Sequence, residues 1–351
     1  MVTGINTSTC NPRALFSELP IYTPLHYSNT LSSITGANVY LKLENLQICN
    51  SFKIRGVGYM CSKVVHEKNC QMLVSCGINA GIACAYAGKK LNTFVTVFVP
   101  INTPDFIIEK IQNEGANVYV KGKDIEECEC YAKYFVEQNQ YSYYIPSYNH
   151  PDIWEGNSTI IDEIKSQLGD TPDAIITVVG GGGLLCGLIQ GCQKVRWENV
   201  PIIAVETHNT NGLQLSVNNK KVTDVPKGSE PLARSLNIKR ICHQSFTLSN
   251  QHPVVPVTIT DAMSIKACRQ FADDHKMLIE PSSAAAVSIC YSNIIQEILE
   301  LEPTSKIVII ITGGNDISLD QLESSRHKCS SPVPIIVKSG NEIFMKLNGT
   351  I

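Results

Sequence analysis

Along the chain, short runs of β-branched and aromatic residues alternate with stretches whose apolar positions recur every three or four residues. This is the pattern of a parallel sheet covered by helices on both faces. Residues 93–99 (TFVTVFV) read as a buried strand. Thr103, Pro104 and Asp105 then supply an N-cap, a first helical position and an acidic first turn, for a helix through Phe106, Ile107, Ile108 and Ile111 that ends near Gly115. A strand at 118–120, a helix over 124–138 and a strand at 143–145, before Pro146, complete a βαβαβ unit. After a helix over 151–168, a second series begins with strand 174–179, a glycine run, helix 184–194 and strand 202–205. It closes on 306–311 (KIVIII), a run suited only to the centre of a sheet. The predicted fold class is α/β with two such units. Between them, 209–241 carries Pro226, Gly228 and Pro231 and reads as loop with short helical pieces. The tail from about residue 331 follows the last unit and carries no motif.

Composition narrows the function more than the fold. A chain of 351 residues, 43% hydrophobic and 17% charged, is large enough for one large or two medium domains and excludes disorder, collagen and coiled coil. Lys and Arg total 29 against 32 Asp and Glu, a net charge of -3 with no block of like sign, so neither nucleic acid nor an anionic membrane is an expected partner. The start, MVTGINTSTCNPRALF, lacks the basic and apolar regions of a signal peptide, and no apolar run approaches the roughly 20 residues of a membrane span. A cytoplasmic protein is expected. There the 14 cysteines read as reduced core residues; Cys128 and Cys130, the closest pair, have no second Cys or His cluster at zinc spacing. The sequons at Asn6, Asn157 and Asn348 carry little meaning without secretion.

Four loops could carry chemistry. Gly180, Gly181, Gly182 and Gly183 stand between an apolar strand and a helix, where free backbone N–H groups and the helix dipole suit a phosphate; the plainer reading is a tight turn. No Lys-Ser/Thr follows as in a nucleotide-binding P-loop, and the spacing is not that of a dinucleotide site. Lys53 sits beside Phe52 and before Ile54-Arg55-Gly56; in an apolar site its amine could lose a proton and bond a carbonyl, although most lysines are solvated surface charges. Ser75-Cys76-Gly77-Ile78-Asn79 ends an apolar run and opens a helix of small residues, a place for a carboxylate or simply a capped helix. Thr312-Gly313-Gly314-Asn315 follows the most apolar strand, at the end where open α/β sheets bind ligands.

Taken together and in this order, these loops resemble the fold-type II family of pyridoxal phosphate enzymes, most of all its L-serine and L-threonine dehydratases. The resemblance runs from about residue 24 to about residue 322. It rests on KLENLQ with SFKIRGVG, SCGINAG, FVPINTPDFIIEKIQNEGANV, HPDIWEGNSTII, VVGGGGLLCGLIQG, IIAVET, IEPSSAAAV and ITGGNDISLDQL. It implies two open, twisted, mostly parallel sheets covered by helices: a large domain of 1–45 with 150–330, a small domain of 46–149 and a C-terminal tail of 331–351. It implies pyridoxal 5'-phosphate bonded to Lys53, with Phe52 against the ring face and Ala233 on the other. Gly180, Gly181, Gly182, Gly183 and Leu184 would hold the phosphate, Asn79 the ring 3'-oxygen and Thr312 the pyridine nitrogen. A neutral hydroxyl at the nitrogen favours β-elimination over transamination. Ser75, Cys76, Gly77, Ile78 and Asn79 would bind the carboxylate of an amino-acid substrate, with Lys53 as base. Glu206, with carbonyls near Thr210, would hold K+ or a divalent cation, and a homodimer is expected.

The chain departs from the family inside that site. Cys76 stands where a second serine is usual, which removes a hydroxyl donor. Ile78 stands where glycine precedes the asparagine, which puts a β-branched residue where backbone freedom is expected. Ile48-Cys49-Asn50 replaces Pro-Ser-Gly before Ser51-Phe52-Lys53. Gly77 replaces the serine of the racemases of this fold and so removes their second acid-base group. Alternatives to elimination are racemisation, β-replacement, and a pyridoxal phosphate-binding protein that has lost catalysis and acts in regulation.

Overall fold

The computed structural model describes residues 11–228, 230–325 and two further strands at 334–339 and 342–347; Asn6, Asn348 and the rest of the tail lie outside the described residues. In chain order the strands are β1 (Leu25–Tyr27), β2 (Asn38–Leu43), β3 (Met72–Cys76), β4 (Phe94–Val99), β5 (Asn117–Val120) and β6 (Ser142–Ile145). They continue as β7 (Ala174–Val178), β8 (Ile202–Thr207), β9 (Val254–Ile259), β10 (Lys306–Ile311), β11 (Pro334–Ser339) and β12 (Glu342–Leu347). A six-stranded sheet runs β1-β2-β10-β7-β8-β9, and a four-stranded sheet β5-β4-β3-β6. Every neighbouring pair in them is parallel except β1 with β2. The α/β class and the two mostly parallel sheets are therefore as expected. The tail strands β11 and β12 pair antiparallel with each other.

The periodicity located these elements to within one to three residues at their ends. The helix expected at Pro104 begins one residue later, as Asp105–Asn113, because Pro104 keeps extended backbone as its cap. Asp124 is likewise the cap of helix Ile125–Gln138, its carboxylate accepting the Glu127 N–H. The middle segment holds a helix at Gly212–Asn218 and one 3-10 turn at Arg234–Leu236.

The core follows from alternation along β10. Ile307, Ile309 and Ile311 pack with Val39, Ile176 and Ile203 against helices Asp261–His275 and Pro281–Tyr291. Val308 and Ile310 face the other way, towards helices Lys53–Glu67, Pro151–Leu168 and Gly183–Val195, in a cluster that reaches Leu73, Val95 and Val97 of the smaller sheet. Residues 307–311 of β10 are all fully buried, which is why only Lys306, at the start of that run, is polar. Helix Gly183–Val195 presents Gly187 and Gly191, one turn apart, to helix Pro151–Leu168. A Cβ on Gly187 would lie 2.5 Å from that of Asn157, and one on Gly191 2.7 Å from that of Ile161. Only glycine lets these two helices approach so closely. Asn157 is thus a buried packing residue whose amide donates to the Gly183 carbonyl at 3.1 Å.

Candidate active site

The loops after β3, β4, β6, β7, β8 and β10 line one cavity of about 710 Å³. It lies at the carboxyl ends of the parallel strands of both sheets, where such folds gather ligands. Lys53, Phe52, Asn79, the four glycines, Leu184 and Thr312 all reach its wall, as do Gly77 and Ile78.

Lys53 opens helix Lys53–Glu67, and its position is set from both sides. Before it, the Phe52 N–H donates to the Thr312 carbonyl at 3.0 Å, and Ser51 bridges to Gly313. After it, the buried Arg55 forks onto Glu44 at 2.7 and 2.8 Å and onto Glu163 at 2.7 and 2.9 Å, a doubly bidentate anchor between the turn that follows β2 and two helices. The Lys53 ammonium donates to the Ser147 carbonyl at 2.5 Å and lies 5.3 Å from the centre of the Phe52 ring. Burial pushes its pKa down to about 8, against the opposing pull of Cys76 and Glu280. An amine in that range is a competent nucleophile and base near neutral pH.

The glycine loop is a cradle that side chains would fill. A Cβ on Gly181 would stand 2.4 Å from the Tyr148 ring, one on Gly183 2.5 Å from the Tyr148 carbonyl, and one on Gly182 2.4 Å from the Ser245 hydroxyl. Gly182 also holds a φ of 89°. The helix behind it has no side-chain cap, so its first N–H groups remain available to an anion. Thr312, 3% exposed, shares a 3.1 Å hydrogen bond with the Ser283 hydroxyl. Asn79 donates to both carboxylate oxygens of Glu280, at 3.2 and 3.1 Å, and to the Ser235 hydroxyl at 3.2 Å; its own oxygen accepts from Asn315 at 2.8 Å. A reactive amine, an anion cradle, an amide and a neutral hydroxyl thus surround a space that fits a phosphorylated pyridine aldehyde.

Several expected site residues lie elsewhere. Ser75 is fully buried and donates to the Ile145 carbonyl at 3.0 Å, joining β3 to β6, and Cys76 turns its thiol to Tyr144 at 3.2 Å; neither lines the cavity. Burial raises the Cys76 thiol to about 11. The glycine freedom expected at Ile78 is needed one residue earlier. Gly77 has a φ of 86°, whereas Ile78 begins helix Ile78–Lys90. Ala233 is fully buried behind the wall, and Arg234, Ser235 and Leu236 form the surface instead. Glu206 lies buried away from the cavity, accepting the Leu213 and Gln214 N–H groups at 2.8 and 2.9 Å; burial raises its carboxyl to about 8. Thr210 bonds back to Thr207.

The sequence reading assigned no role to Glu280, to Arg234 or to Asp316. Asp316 pairs with Arg234 at 2.5 Å and gives its N–H to Glu280 at 3.2 Å; burial lifts its carboxyl to about 7 against the pull of Arg234. The segments IEPSS and GGNDIS carried the resemblance without roles for Glu280 and Asp316, and PLARS entered only through Ala233.

Comparison with known proteins agrees with this geometry. Residues 17–313 match the model of the family described as "Pyridoxal-phosphate dependent enzyme". The chain is 38% identical to the human L-serine dehydratase/L-threonine deaminase, over 88% of this chain and 95% of that protein. It is 36% identical to an L-serine dehydratase of Dictyostelium discoideum, over 91% and 93%. Among solved structures, the fungal L-serine ammonia-lyase of Rhizomucor miehei superposes with a TM-score of 0.85 at 39% identity, covering 88% of this chain and 99% of that one. A glycine cradle, an enclosed lysine and a match over most of the chain lead to one conclusion: the chain belongs to the pyridoxal-phosphate dependent enzyme family.

Proposed function

We infer that the chain is a pyridoxal phosphate-dependent ammonia-lyase that converts L-serine to pyruvate and ammonia, and L-threonine to 2-oxobutanoate and ammonia. The observation that carries this reading is the convergence of Lys53, Asn79, the four glycines and Thr312, from four separate segments, on one cavity. The substrate class comes from the dehydratases to which the chain is similar.

When bound, pyridoxal phosphate supplies an aldehyde for the amino group and a ring that takes up the electron pair released at Cα. The rest falls to the chain. Gly180 to Gly183 and Leu184 would hold the phosphate through backbone N–H groups, Asn79 the ring oxygen, Phe52 one ring face, and Thr312, hydrogen-bonded to Ser283, the ring nitrogen without a charge. The opening turn of helix Ile78–Lys90 receives the substrate carboxylate through its N–H groups. With a pKa of about 8, Lys53 has about a tenth of its amine neutral at pH 7, and in that form takes the Cα proton. In the net reaction the Cα proton and the β-hydroxyl leave as water, and hydrolysis of the resulting enamine gives the 2-oxo acid and ammonia. Racemisation is disfavoured because Gly77, held at a φ of 86°, has no side chain to act as a second proton donor.

The same reading carries a cation, K+ or divalent, at Glu206 with carbonyls near Thr210. In its support, Glu206 is a fully buried carboxylate whose hydrogen bonds come from backbone alone. It also carries a cytoplasmic homodimer and the division into 46–149 and the remainder. That division is supported by the partition of the strands between the two sheets.

The test is release of 2-oxo acid from L-serine and L-threonine by the purified protein with added pyridoxal phosphate. Activity that rises with pH and reaches half its plateau near pH 8, together with its loss and loss of the visible cofactor band in Lys53→Ala, is the expected result. Activity that survives the substitution removes Lys53 from the reaction.

A further inference from the structure

Lys110 lies on helix Asp105–Asn113, between β4 and β5 of the smaller sheet, and does not line the cavity. Its ammonium nevertheless reaches two loops that do. It donates to the Asn50 side-chain oxygen at 2.8 Å, three residues before Lys53, and to the Asn315 side-chain oxygen at 2.5 Å, three residues after Thr312. The same loops are tied by two backbone bonds, Phe52 N–H to the Thr312 carbonyl and Gly314 N–H to the Asn50 carbonyl, each 3.0 Å.

The chemistry of the partners fixes which way each amide faces. An ammonium can only donate, so the Asn315 oxygen turns to Lys110; a carbonyl can only accept, so the Asn315 nitrogen turns to the Cys49 carbonyl at 2.8 Å. The second proton of that nitrogen then goes to the Asn79 oxygen at 2.8 Å, which leaves the Asn79 NH2 facing Glu280, Ser235 and the cavity. Asn79 needs that orientation to donate to a bound ring oxygen. Asn50 is the other residue that Lys110 holds. It holds a φ of 51°, a conformation asparagine tolerates better than most residues, at the position where the family resemblance has glycine. The side chain that glycine lacks is the one Lys110 grips.

We propose that Lys110 is a positioning residue that pins the Lys53 and Thr312 loops from the opposite sheet and, through Asn315, sets the face that Asn79 turns to the cofactor. This rests on the proposed pyridoxal phosphate site. The test compares Lys110→Met and Lys110→Arg with the unsubstituted protein by two readouts. In the apo-protein, hydrogen exchange at the Phe52 and Gly314 amides quickens in Lys110→Met and returns in Lys110→Arg. In the loaded protein, Lys110→Met binds pyridoxal phosphate about tenfold more weakly, as expected when the loss of two charged hydrogen bonds reaches the cofactor only through the loops they pin, with a displaced visible band, and Lys110→Arg restores both. Unchanged exchange with an unchanged band overturns the proposal. Failure of the unsubstituted protein to bind pyridoxal phosphate overturns the functional reading instead, and apo exchange still decides whether Lys110 pins the loops.

Discussion

Cys76 ends β3, and successive side chains of a strand leave on opposite faces. Ser75 turns to the Ile145 carbonyl and Cys76 to the Tyr144 hydroxyl, and neither side chain lines the cavity. Cys76→Ser is therefore expected to leave the KM for L-serine within about twofold, since a buried thiol-to-hydroxyl exchange beside a ready partner acts on stability first. A tenfold change in KM with unchanged thermal stability would return Cys76 to the site. Lys53, Asn79, the glycines and Thr312 were legible because their segments, taken together and in order, carry the family resemblance; read singly, each also fits an ordinary turn, cap or surface lysine. Glu280, Arg234, Asp316 and Lys110 were not, because their meaning lies in partners 36 to more than 200 residues away.

At the level of elements, the phosphate cradle depends on a helix pair as much as on its own loop. Gly187 contributes nothing to the cavity, yet a methyl group there would strike the Trp154 carbonyl at 2.7 Å as well as Asn157. Backbone cannot yield as a flexible side chain does, so Gly187→Ala is expected to destabilise the fold by roughly 1–3 kcal/mol. It should also weaken pyridoxal phosphate binding, because Asn157 holds the Gly183 carbonyl. Denaturant unfolding with a cofactor titration checks both, and an alanine variant with normal stability would mean the helices can separate freely. The two helices were predicted from periodicity within one residue, but their closeness was not, since a stripe of glycines reads equally as weak helix propensity.

On the scale of the whole molecule, the cavity is built by both sheets, so its ligand stabilises the complete fold and not one half of it. Pyridoxal phosphate at a hundred times its Kd contributes about 2.7 kcal/mol, and thermal unfolding should move up by several degrees as one transition. Potassium is expected to raise the midpoint further in the unsubstituted protein and to have no effect in Glu206→Gln; an equal effect in both would place the ion elsewhere. The order of strands has another consequence, for the chain as it is made. β10 pairs with β2 on one side and β7 on the other, although more than 260 residues separate it from β2. Strands β3 to β6 are contiguous in sequence and can close while synthesis continues, but until residue 311 has emerged, β2 and β7 each expose an unpaired edge. Thr312 arrives with that final strand. The nascent chain is thus most prone to association just before its last inserted strand seats, and it gains the capacity to hold its cofactor only when that hazard has passed.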